Sequence, residues 1–480
     1  MEEKKLAGLE PGAVFEYFEA LCAIPHGSHN TKAISDFLVD FAKKQQIRYI
    51  QDESNNIILF ANGTCGLEDH EPVVLQGHMD MVCEKDEGCP IDMDTQGLDL
   101  CHDNLCVFAK GTTLGGDDGI AVAYAMALIA DRTIPHPPLE VIITVDEEVG
   151  MLGADVIDVS MLKGRKMINL DSEDEGIFTV ACAGGATATI SLNVNRKAVY
   201  GPCVRLCVDG LRGGHSGAEI HKNRANANKV MGEFMSRILK LMPLCLTSFS
   251  GGNKDNAIPY ACQANVVAMG IGLERINEIA TQLQAEIREQ YDEPEASVQA
   301  YDVDALGGNS LTTEDTARVV SLLCALPNGV QGYSADMPGL VETSLNLGIA
   351  KLGEMFTVTF SVRSSVNQKK EELLEQLKKL SDFYDGIYSQ SGEYPAWEYC
   401  KNSVLRDTMV KTYSEMFGEE PKVLAIHAGL ECGLLSEKLP GLDAVSIGPQ
   451  MHDIHTSREK LEIASTGRVW RFLCKVLSEL

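Results

Sequence analysis

The chain has 480 residues, too many for one ordinary core, and its 45% hydrophobic and 23% charged residues are typical of a globular enzyme with two or three domains. Its formal net charge of −28 argues against non-specific binding to nucleic acids and against docking on anionic membranes. The 15 cysteines include no CxxC pair, which argues against a cysteine-based zinc site and favours reduced thiols in the cytoplasm.

Strand and helix patterns alternate over residues 1–185, which favours a largely parallel α/β sheet. The segment "TKAISDFLVDFAKKQQI" has apolar residues at helical spacing, and "GDDGIAVAYAMALIAD" is predicted to be a helix whose N-terminus is capped by acids. Its apolar part is too short to span a bilayer, and the stretch "MEEKKLAGLEPG" shows no secretory signal. Three predicted strands, in "EPVVLQGHMDMV", "PLEVIITVDEE" and "KMINLDSED", end in acids or histidine. Ligands bind beyond the carboxyl ends of such strands, so we expect a site there.

Residues 186–393 show a different pattern. Five segments alternate apolar and polar residues as half-exposed strands do, and four amphipathic helices lie between them. This indicates an open sheet with helices on one face. Residues 394–480 return to alternating helices and strands. We therefore predict an α/β protein whose mostly parallel-sheet catalytic domain is formed by residues 1–185 and 394–480 and is interrupted by an α+β domain at residues 186–393.

Five short stretches carry side chains that bind metals. Imidazoles with carboxylates, and no thiolates, suit Zn²⁺, Mn²⁺ or Co²⁺. An acid at a helix start can bridge two ions, and Asp117 is such a candidate. Strand alternation places His78 and Asp80 on one side, so Asp80 can orient the imidazole of His78. The stretches contain, in chain order, His78 and Asp80, Asp117 and Asp118, Glu147 and Glu148, Asp171, and His452 and His455.

Each stretch also has a plainer interpretation. One acid at a strand end is usually a solvated turn residue, so Asp118 and Asp146 could be exposed or capping residues. His452 fits a loop better than a metal site. The conjunction of five such stretches around one predicted α/β sheet favours a metal centre over five unrelated turns.

Several segments resemble the M20 metallopeptidase family, and within it the aminoacyl-histidine dipeptidase group, which includes the cytosol nonspecific dipeptidases (peptidase D). They are "GTTLGGDDGIAVAYA", "VDEEVGMLGA", "NLDSEDEG", "ACAGG", "GGHSGAEIH", "ANANK" and "HAGLECG", and the resemblance runs over essentially the whole chain. It implies two divalent cations per chain, most often Zn²⁺, and makes residues 186–393 a lid domain through which two copies form a homodimer. "GGDDG" stands where relatives often carry "GADNG", which adds a charge at Asp118.

The resemblance also implies a role for each candidate residue. Asp117 would bridge the two ions, with His78 and Asp171 on one ion and Glu148 and His455 on the other. Glu147 would be the general base, and Asp80 would orient His78. In the mechanism that the resemblance implies, the ions would lower the pKa of a bound water, Glu147 would take its proton as general base, and the resulting hydroxide would attack the peptide carbonyl.

A dipeptidase must also hold both termini of its substrate. Arg363, helped by Asn256, is the candidate for the substrate carboxylate. Glu431 could bind the α-ammonium group, with His427 lining the pocket. The resemblance places His215 at the tetrahedral oxyanion, often from the partner subunit. Each also has a structural alternative: Arg363 on an exposed strand face, Glu431 as a helix cap and His215 as a loop histidine.

We therefore predict a cytoplasmic di-zinc dipeptidase of broad specificity that includes Xaa-His dipeptides of the β-alanyl-histidine type. Its partners would be small dipeptides and a second copy of the chain, with neither nucleic acid nor membrane. The alternative is an M20-type deacylase or carboxypeptidase that acts on N-acyl amino acids or longer peptides. A non-catalytic peptide-binding relative should have lost the base or a ligand, whereas all of these positions are filled here.

Overall fold

The computed structural model describes residues 4–270, 272–303 and 307–480. The first residues of "MEEKKLAGLEPG" and Ile271, in the segment of one predicted strand, lie outside the described residues. The chain divides into two compact units. One comprises residues 1–181, 399–425 and 430–480, and the other comprises residues 182–398 and 426–429. The domain limits 1–185, 186–393 and 394–480 stay a prediction.

The first part of the chain alternates helices and strands, as its sequence pattern predicts. Its helices are α1 (Gly12–Cys22), α2 (Lys32–Gln45), α3 (Gly116–Ala130) and α4 (Leu152–Val156). Its strands are β1 (Arg48–Gln51), β2 (Ile57–Ala61), β3 (Val73–His78), β4 (Leu100–His102), β5 (Cys106–Ala109), β6 (Leu139–Thr144), β7 (Lys166–Asn169) and β8 (Ile177–Cys182).

The middle part of the chain forms the second unit. Its strands are β9 (Gly184–Leu192), β10 (Arg196–Tyr200), β11 (Cys203–Asp209), β12 (Gly214–His215), β13 (Leu244–Gly251), β14 (Ala257–Ile258), β15 (Cys262–Ala268), β16 (Ser297–Val303), β17 (Gly307–Leu311), β18 (Gly329–Tyr333), β19 (Val341–Leu352), β20 (Phe356–Ser364) and β21 (Gly386–Tyr394). Its helices are α5 (Ala227–Leu239), α6 (Leu273–Tyr291), α7 (Thr313–Ala325) and α8 (Asn367–Phe383), with a 3₁₀ turn at Ile220–Lys222.

The last part of the chain returns to the first unit. Its elements are α9 (Val404–Phe417), β22 (Lys422–Ile426), α10 (Glu431–Lys438), β23 (Asp443–Ser446), β24 (Met451–His452), β25 (Lys460–Glu462) and α11 (Ile463–Leu477). No helix in the part of the chain that the structure describes is long and apolar enough to cross a membrane.

The main sheet of the first unit has the strand order β1-β2-β6-β3-β7-β23-β8-β22. Its four central strands, β6, β3, β7 and β23, run parallel, whereas β1, β2 and β8 join antiparallel. Strands β3 and β6 are buried at every residue, as expected for parallel strands covered on both faces. The carboxyl ends of the parallel strands share one edge, and the candidate metal-binding segments follow these ends.

The second unit is built around an antiparallel sheet with one large hydrophobic core. Its main strand order is β16-β11-β15-β13-β19-β20-β9-β21, with β18 beside β19. Alternate residues of β9 and β11 point into a core that α5, α6, α7 and α8 also enter. This period-two burial is what the sequence pattern predicts for half-exposed strands.

The capping prediction for α3 is wrong. The N-cap residue is Gly115, which has no side chain, and Asp117 and Asp118 have non-helical φ and ψ angles. Both carboxylates are used elsewhere, as described below. The remainder of α3 is apolar on all sides, and it is buried along almost its whole length.

Candidate active site

The Asp117 carboxylate lies between two histidines from distant parts of the chain. Its Oδ1 atom is 3.1 Å from His78 Nε2, and its Oδ2 atom is 3.1 Å from His455 Nε2. His78 Nε2 is 3.7 Å from Asp171 Oδ1, and His455 Nε2 is 2.9 Å from Glu148 Oε1. Each oxygen of Asp117 therefore faces a separate histidine–carboxylate pair.

Strand ends and one tight turn place these side chains. His78 is the last residue of β3, Asp171 follows β7, and Glu148 lies in the turn after β6. The Gly153 N–H closes that turn on the Val145 carbonyl at 2.9 Å. A Cβ atom on Gly153 would lie 2.3 Å from the Val145 oxygen, so a residue with a side chain would open the turn that presents the acids.

Asp80 supports both the imidazole and the turn. His78 Nδ1 donates to the Asp80 main-chain carbonyl at 2.9 Å, which leaves Nε2 to face the cluster. The Asp80 carboxylate lies 3.5 Å from the same nitrogen. It also accepts hydrogen bonds from the main-chain N–H groups of Glu147 and Glu148 at 3.1 and 3.4 Å, and from the Ser28 hydroxyl at 2.8 Å.

Asp118 is fully buried, so the expectation of a solvated or capping residue is wrong. Its Oδ2 atom accepts a hydrogen bond from the His78 main-chain N–H at 3.2 Å, and its Oδ1 atom has no hydrogen-bond partner among the described residues. A Cβ atom on Gly77 would lie 2.4 Å from Oδ2, so glycine there lets the acid approach β3. His78, Asp118 and Asp171 form a group that could hold a metal ion, as do His78, Asp117 and Glu148. The second acid of "GGDDG" was the only sequence signal for Asp118.

Glu431 lies in the first unit and is fully buried at the start of α10. Its Oε2 atom accepts hydrogen bonds from the Thr144 hydroxyl at 2.6 Å and from the Gln76 side-chain amide. Its partners are therefore strand side chains rather than the helix start. Burial, followed by the charge of Glu147, raises the pKa of Glu431 to about 8. The sequence did not single out Gln76 or Thr144, which lie within two residues of His78 and Asp146 respectively.

The other predicted substrate-binding residues lie in the second unit. Strand β12 pairs with β14, which places the Asn256 segment beside His215. Burial and the charge of Arg363 lower the pKa of both His215 and His427. The structure therefore brings His215, Asn256, Arg363 and His427 into one neighbourhood.

His215 has a defined tautomer. Its Nδ1 atom accepts hydrogen bonds from the main-chain N–H groups of Gly217 and Ala218 at 3.3 and 3.0 Å. The neutral imidazole must then carry its proton on Nε2, so that atom is a hydrogen-bond donor.

Arg363 is half-buried on β20 rather than on an exposed strand face. Its Nη1 atom donates to the Tyr394 hydroxyl at 3.2 Å, and its buried Nε atom has no hydrogen-bond partner in the part of the chain that the structure describes. Ser344, its cross-strand neighbour, lies 2.7 Å from His427 Nε2. This arrangement leaves a guanidinium donor available for an anion.

The buried acids around His78, Asp117 and His455 in the first unit favour a bound cation. Burial raises the pKa of Glu147 and of Asp171 to about 8 and that of Glu173 to about 7, and the neighbouring acids add to the rise. Burial would also raise the pKa of Asp117, but hydrogen bonds from His455 and His78 lower it. Nitrogen and oxygen donors around so many buried carboxylates suit divalent cations of the Zn²⁺, Mn²⁺ or Co²⁺ type. The donor set therefore fits a metal centre.

Two residues of the same stretches do not join this cluster. His452 lies on β24 and contacts Glu462 Oε1 at 2.8 Å, in agreement with its interpretation as a non-ligand. Asp146 is half-buried, with a φ of 54°, and accepts a hydrogen bond from the His29 main-chain N–H at 2.6 Å. Asp146 therefore has a structural partner and is more than a solvated turn residue.

Comparison with known proteins identifies relatives over the full length of the chain. The model of peptidase family M20/M25/M40 matches residues 74–479. The cytosol non-specific dipeptidase of Escherichia coli (strain K12) is 34% identical, and the match covers 99% of each chain.

Solved structures agree with this result. The aminoacylhistidine dipeptidase of Vibrio alginolyticus superimposes with a TM-score of 0.94 at 32% identity, covering 99% of this chain and 98% of the other. The aminopeptidase PepT of Bacillus cereus superimposes with a TM-score of 0.56 at 15% identity, covering 98% of this chain and 99% of the other, which shows a shared fold.

Proposed function

The chain belongs to peptidase family M20/M25/M40 and is a peptide-bond hydrolase, and we propose that it is a dipeptidase of broad specificity that uses two divalent cations, most often Zn²⁺. The observation that carries the two-cation proposal is the Asp117 carboxylate, whose two oxygens face different histidine–carboxylate pairs. The names of the relatives from E. coli and V. alginolyticus support dipeptides, including Xaa-His dipeptides, as substrates.

The proposed ligands divide between the two histidines. His78 and Asp171 would hold one cation, His455 and Glu148 would hold the other, and Asp117 would contact both. Divalent cations supply Lewis acidity to a peptide carbonyl and lower the pKa of water. Asp118, which is buried beside His78, offers a further carboxyl oxygen on the His78 side.

Glu147 is the proposed proton carrier. It is not a member of either group of candidate metal ligands, and its main chain is held by Asp80. Its carboxylate accepts the proton of the attacking water and then donates it to the leaving amine. In the metal-free protein, burial raises the pKa of Glu147 to about 8.

The substrate termini require opposite charges. We assign the substrate carboxylate to the Arg363 guanidinium, with Asn256 and His427 nearby, and the α-ammonium group to the buried Glu431 carboxylate. His215 Nε2–H is the proposed donor to the tetrahedral oxyanion. Within residues 4–270, 272–303 and 307–480, the second oxygen of Glu431, Oε1, has no hydrogen-bond partner, as expected of an acceptor that binds a ligand.

The test is a substrate panel on metal-depleted and reconstituted protein. We expect hydrolysis of β-alanyl-histidine and Leu-Gly after addition of Zn²⁺, Mn²⁺ or Co²⁺, and little hydrolysis without added metal. Cleavage restricted to N-acetyl amino acids would instead favour an M20-type deacylase. Metal binding without any hydrolysis would favour a non-catalytic peptide-binding relative.

We also propose a cytosolic homodimer that forms through the second unit, in which His215 of one copy serves the other copy. The name of the E. coli relative supports the cytosolic location. Light scattering tests the dimer. Mixing the variants Glu147→Gln and His215→Asn tests the shared site, because exchanged dimers would combine one intact base with one intact donor and regain activity. Monomers, or mixtures that stay inactive despite subunit exchange, would contradict this proposal.

A further inference from the structure

One buried acid outside the proposed ligand set binds the main chain of the Asp117 segment. Glu459 is 3% exposed. Its Oε2 atom accepts hydrogen bonds from the N–H groups of Leu114 and Gly115 at 2.8 and 3.2 Å. Its Oε1 atom accepts hydrogen bonds from the N–H groups of Gly116 and Asp117 at 2.8 and 3.4 Å. A single carboxylate thus receives four consecutive N–H groups.

These bonds join two segments that are 342 to 345 residues apart in the sequence. Glu459 lies four residues after His455, and its N–H group donates to the carbonyl of Thr456 at 3.1 Å, so it closes the turn that directly follows His455. Its side chain therefore ties the His455 segment to the Asp117 segment, with His455 and Asp117 themselves 3.1 Å apart.

Glycine makes this approach possible. A Cβ atom on Gly116 would lie 3.2 Å from Glu459 Oε1, and Gly115 has a φ of 68°, a left-handed conformation that side chains disfavour. The main chain of "LGGD" can therefore wrap around the carboxylate. Four N–H donors partly offset the cost of burying its charge, and they fix the position of the carboxylate.

We propose that Glu459 is a positioning residue that holds Asp117 in register with His455, so that the two oxygens of Asp117 can serve two cations at once. The proposal rests on the two-cation centre proposed above. Residues that orient metal ligands typically change metal affinity by about 10- to 100-fold when they are removed. With glutamine at this position, an amide NH₂ would face two of the N–H donors. Because two donors cannot form a hydrogen bond with each other, the Asp117 segment would be displaced.

Glu140 provides a matched control. It is 6% exposed, and its carboxylate also accepts main-chain N–H groups, from Lys163 at 3.0 and 3.1 Å and from Gly164 at 2.9 Å. It lies near the first residue of β6, at the opposite end of that strand from the Glu147 turn. Glu140→Gln therefore reproduces the loss of a carboxylate–main-chain contact away from the cluster.

The experiment compares full-length wild type, Glu459→Gln and Glu140→Gln. Metal content per chain, the Zn²⁺ dissociation constant against a competing chelator, the absorption spectrum of the Co²⁺ form and the thermal stability of the metal-free protein are measured. We expect Glu459→Gln to bind at least one cation about 10- to 100-fold more weakly and to change the Co²⁺ spectrum. Glu140→Gln should lose stability and keep wild-type metal affinity.

The outcomes separate this proposal from the proposed function. A wild type that binds no cation contradicts the two-cation centre itself. A wild type that binds two cations, beside a Glu459→Gln variant with the same affinity and spectrum, overturns the role of Glu459 alone. If Glu459→Gln does not fold, Glu459→Asp keeps the charge but shortens the reach, and unchanged metal affinity in that variant would equally overturn the proposal.

Discussion

The Asp80 carboxylate accepts a hydrogen bond from the main-chain N–H of Glu147 at 3.1 Å. The two residues follow neighbouring parallel strands, β3 and β6, so the sheet itself places the acid beneath the turn. Asp80 also receives the Ser28 hydroxyl. An acid that the sequence assigns to the orientation of His78 thus contacts the segment of the proposed base as well.

We expect Asp80→Asn to lower kcat by about 10- to 100-fold, because the amide cannot accept all the hydrogen bonds that now hold the turn. Metal affinity should fall as well, because Asp80 orients the proposed ligand His78. Steady-state kinetics and elemental analysis check this, with the exposed Asp69→Asn as control. A kcat equal to that of wild type would remove Asp80 from catalysis.

Glu147→Gln should lower kcat by about 10²- to 10⁴-fold while the protein keeps its metal, because the amide cannot take the proton of water. Glu148→Gln is the informative neighbour, since it should lose metal as well as activity. Single-turnover kinetics and metal analysis of both variants test this. Near-normal turnover in Glu147→Gln would exclude Glu147 as the base.

Removal of the metal should lower the thermal stability of the protein. Without a cation, the buried acids around His78 repel one another, and burial and this repulsion raise the pKa of Asp171 to about 8. Added Zn²⁺ should raise the unfolding temperature in a concentration-dependent way. Calorimetry after chelation and reconstitution measures this effect, and a His455→Ala variant should bind one cation fewer. An unfolding temperature that does not change when metal is added would contradict the proposed metal centre.

Arg363→Lys should raise KM for dipeptides by about 10- to 100-fold, with a smaller effect on kcat, because a point charge replaces a planar pair of donors. Arg205→Lys is the matched control, because Arg205 is exposed on β11 of the same sheet. Kinetics with a dipeptide and with its C-terminal amide separate the carboxylate contact from other losses. An unchanged KM for the free-acid dipeptide would reassign that contact.

His427 should stay neutral until the pH falls to about 4, because burial, and then the charge of Arg363, lower its pKa to about 4. Between the ordinary histidine pKa of about 6.5 and this value, the unfolded chain holds a proton that the folded protein lacks. Stability should therefore fall as the pH drops through this window, by at most about 3 kcal/mol from this residue. His427→Gln should reduce that loss.

Urea unfolding of wild type and His427→Gln at several pH values through this window measures the difference. The exposed His70→Gln serves as control, because its ring lies in water in both states. Parallel losses of stability in all three proteins would show that His427 titrates normally.

Much of the fold was predictable because the spacing of apolar residues along the chain indicates which faces of helices and strands are buried. The helix of "TKAISDFLVDFAKKQQI" is α2, and the apolar runs that end in acids are β3, β6 and β7. The sequence pattern did not predict strands β13 and β19 or helix α1. Every residue of β19 from Val341 to Gly348 is buried, so its pairing with β18 on one side and β20 on the other, and not an alternating pattern, makes it a strand.

The sequence alone determined which side chains stand at the ends of parallel strands, because such ends share one edge of a sheet. Only the tertiary structure decided which of those side chains contact one another. It placed the two oxygens of Asp117 against His78 and His455, buried Asp118 under the main chain of β3, and set Glu459 on four N–H groups. These contacts join residues up to 345 positions apart, so no local pattern of apolar and polar residues can predict them.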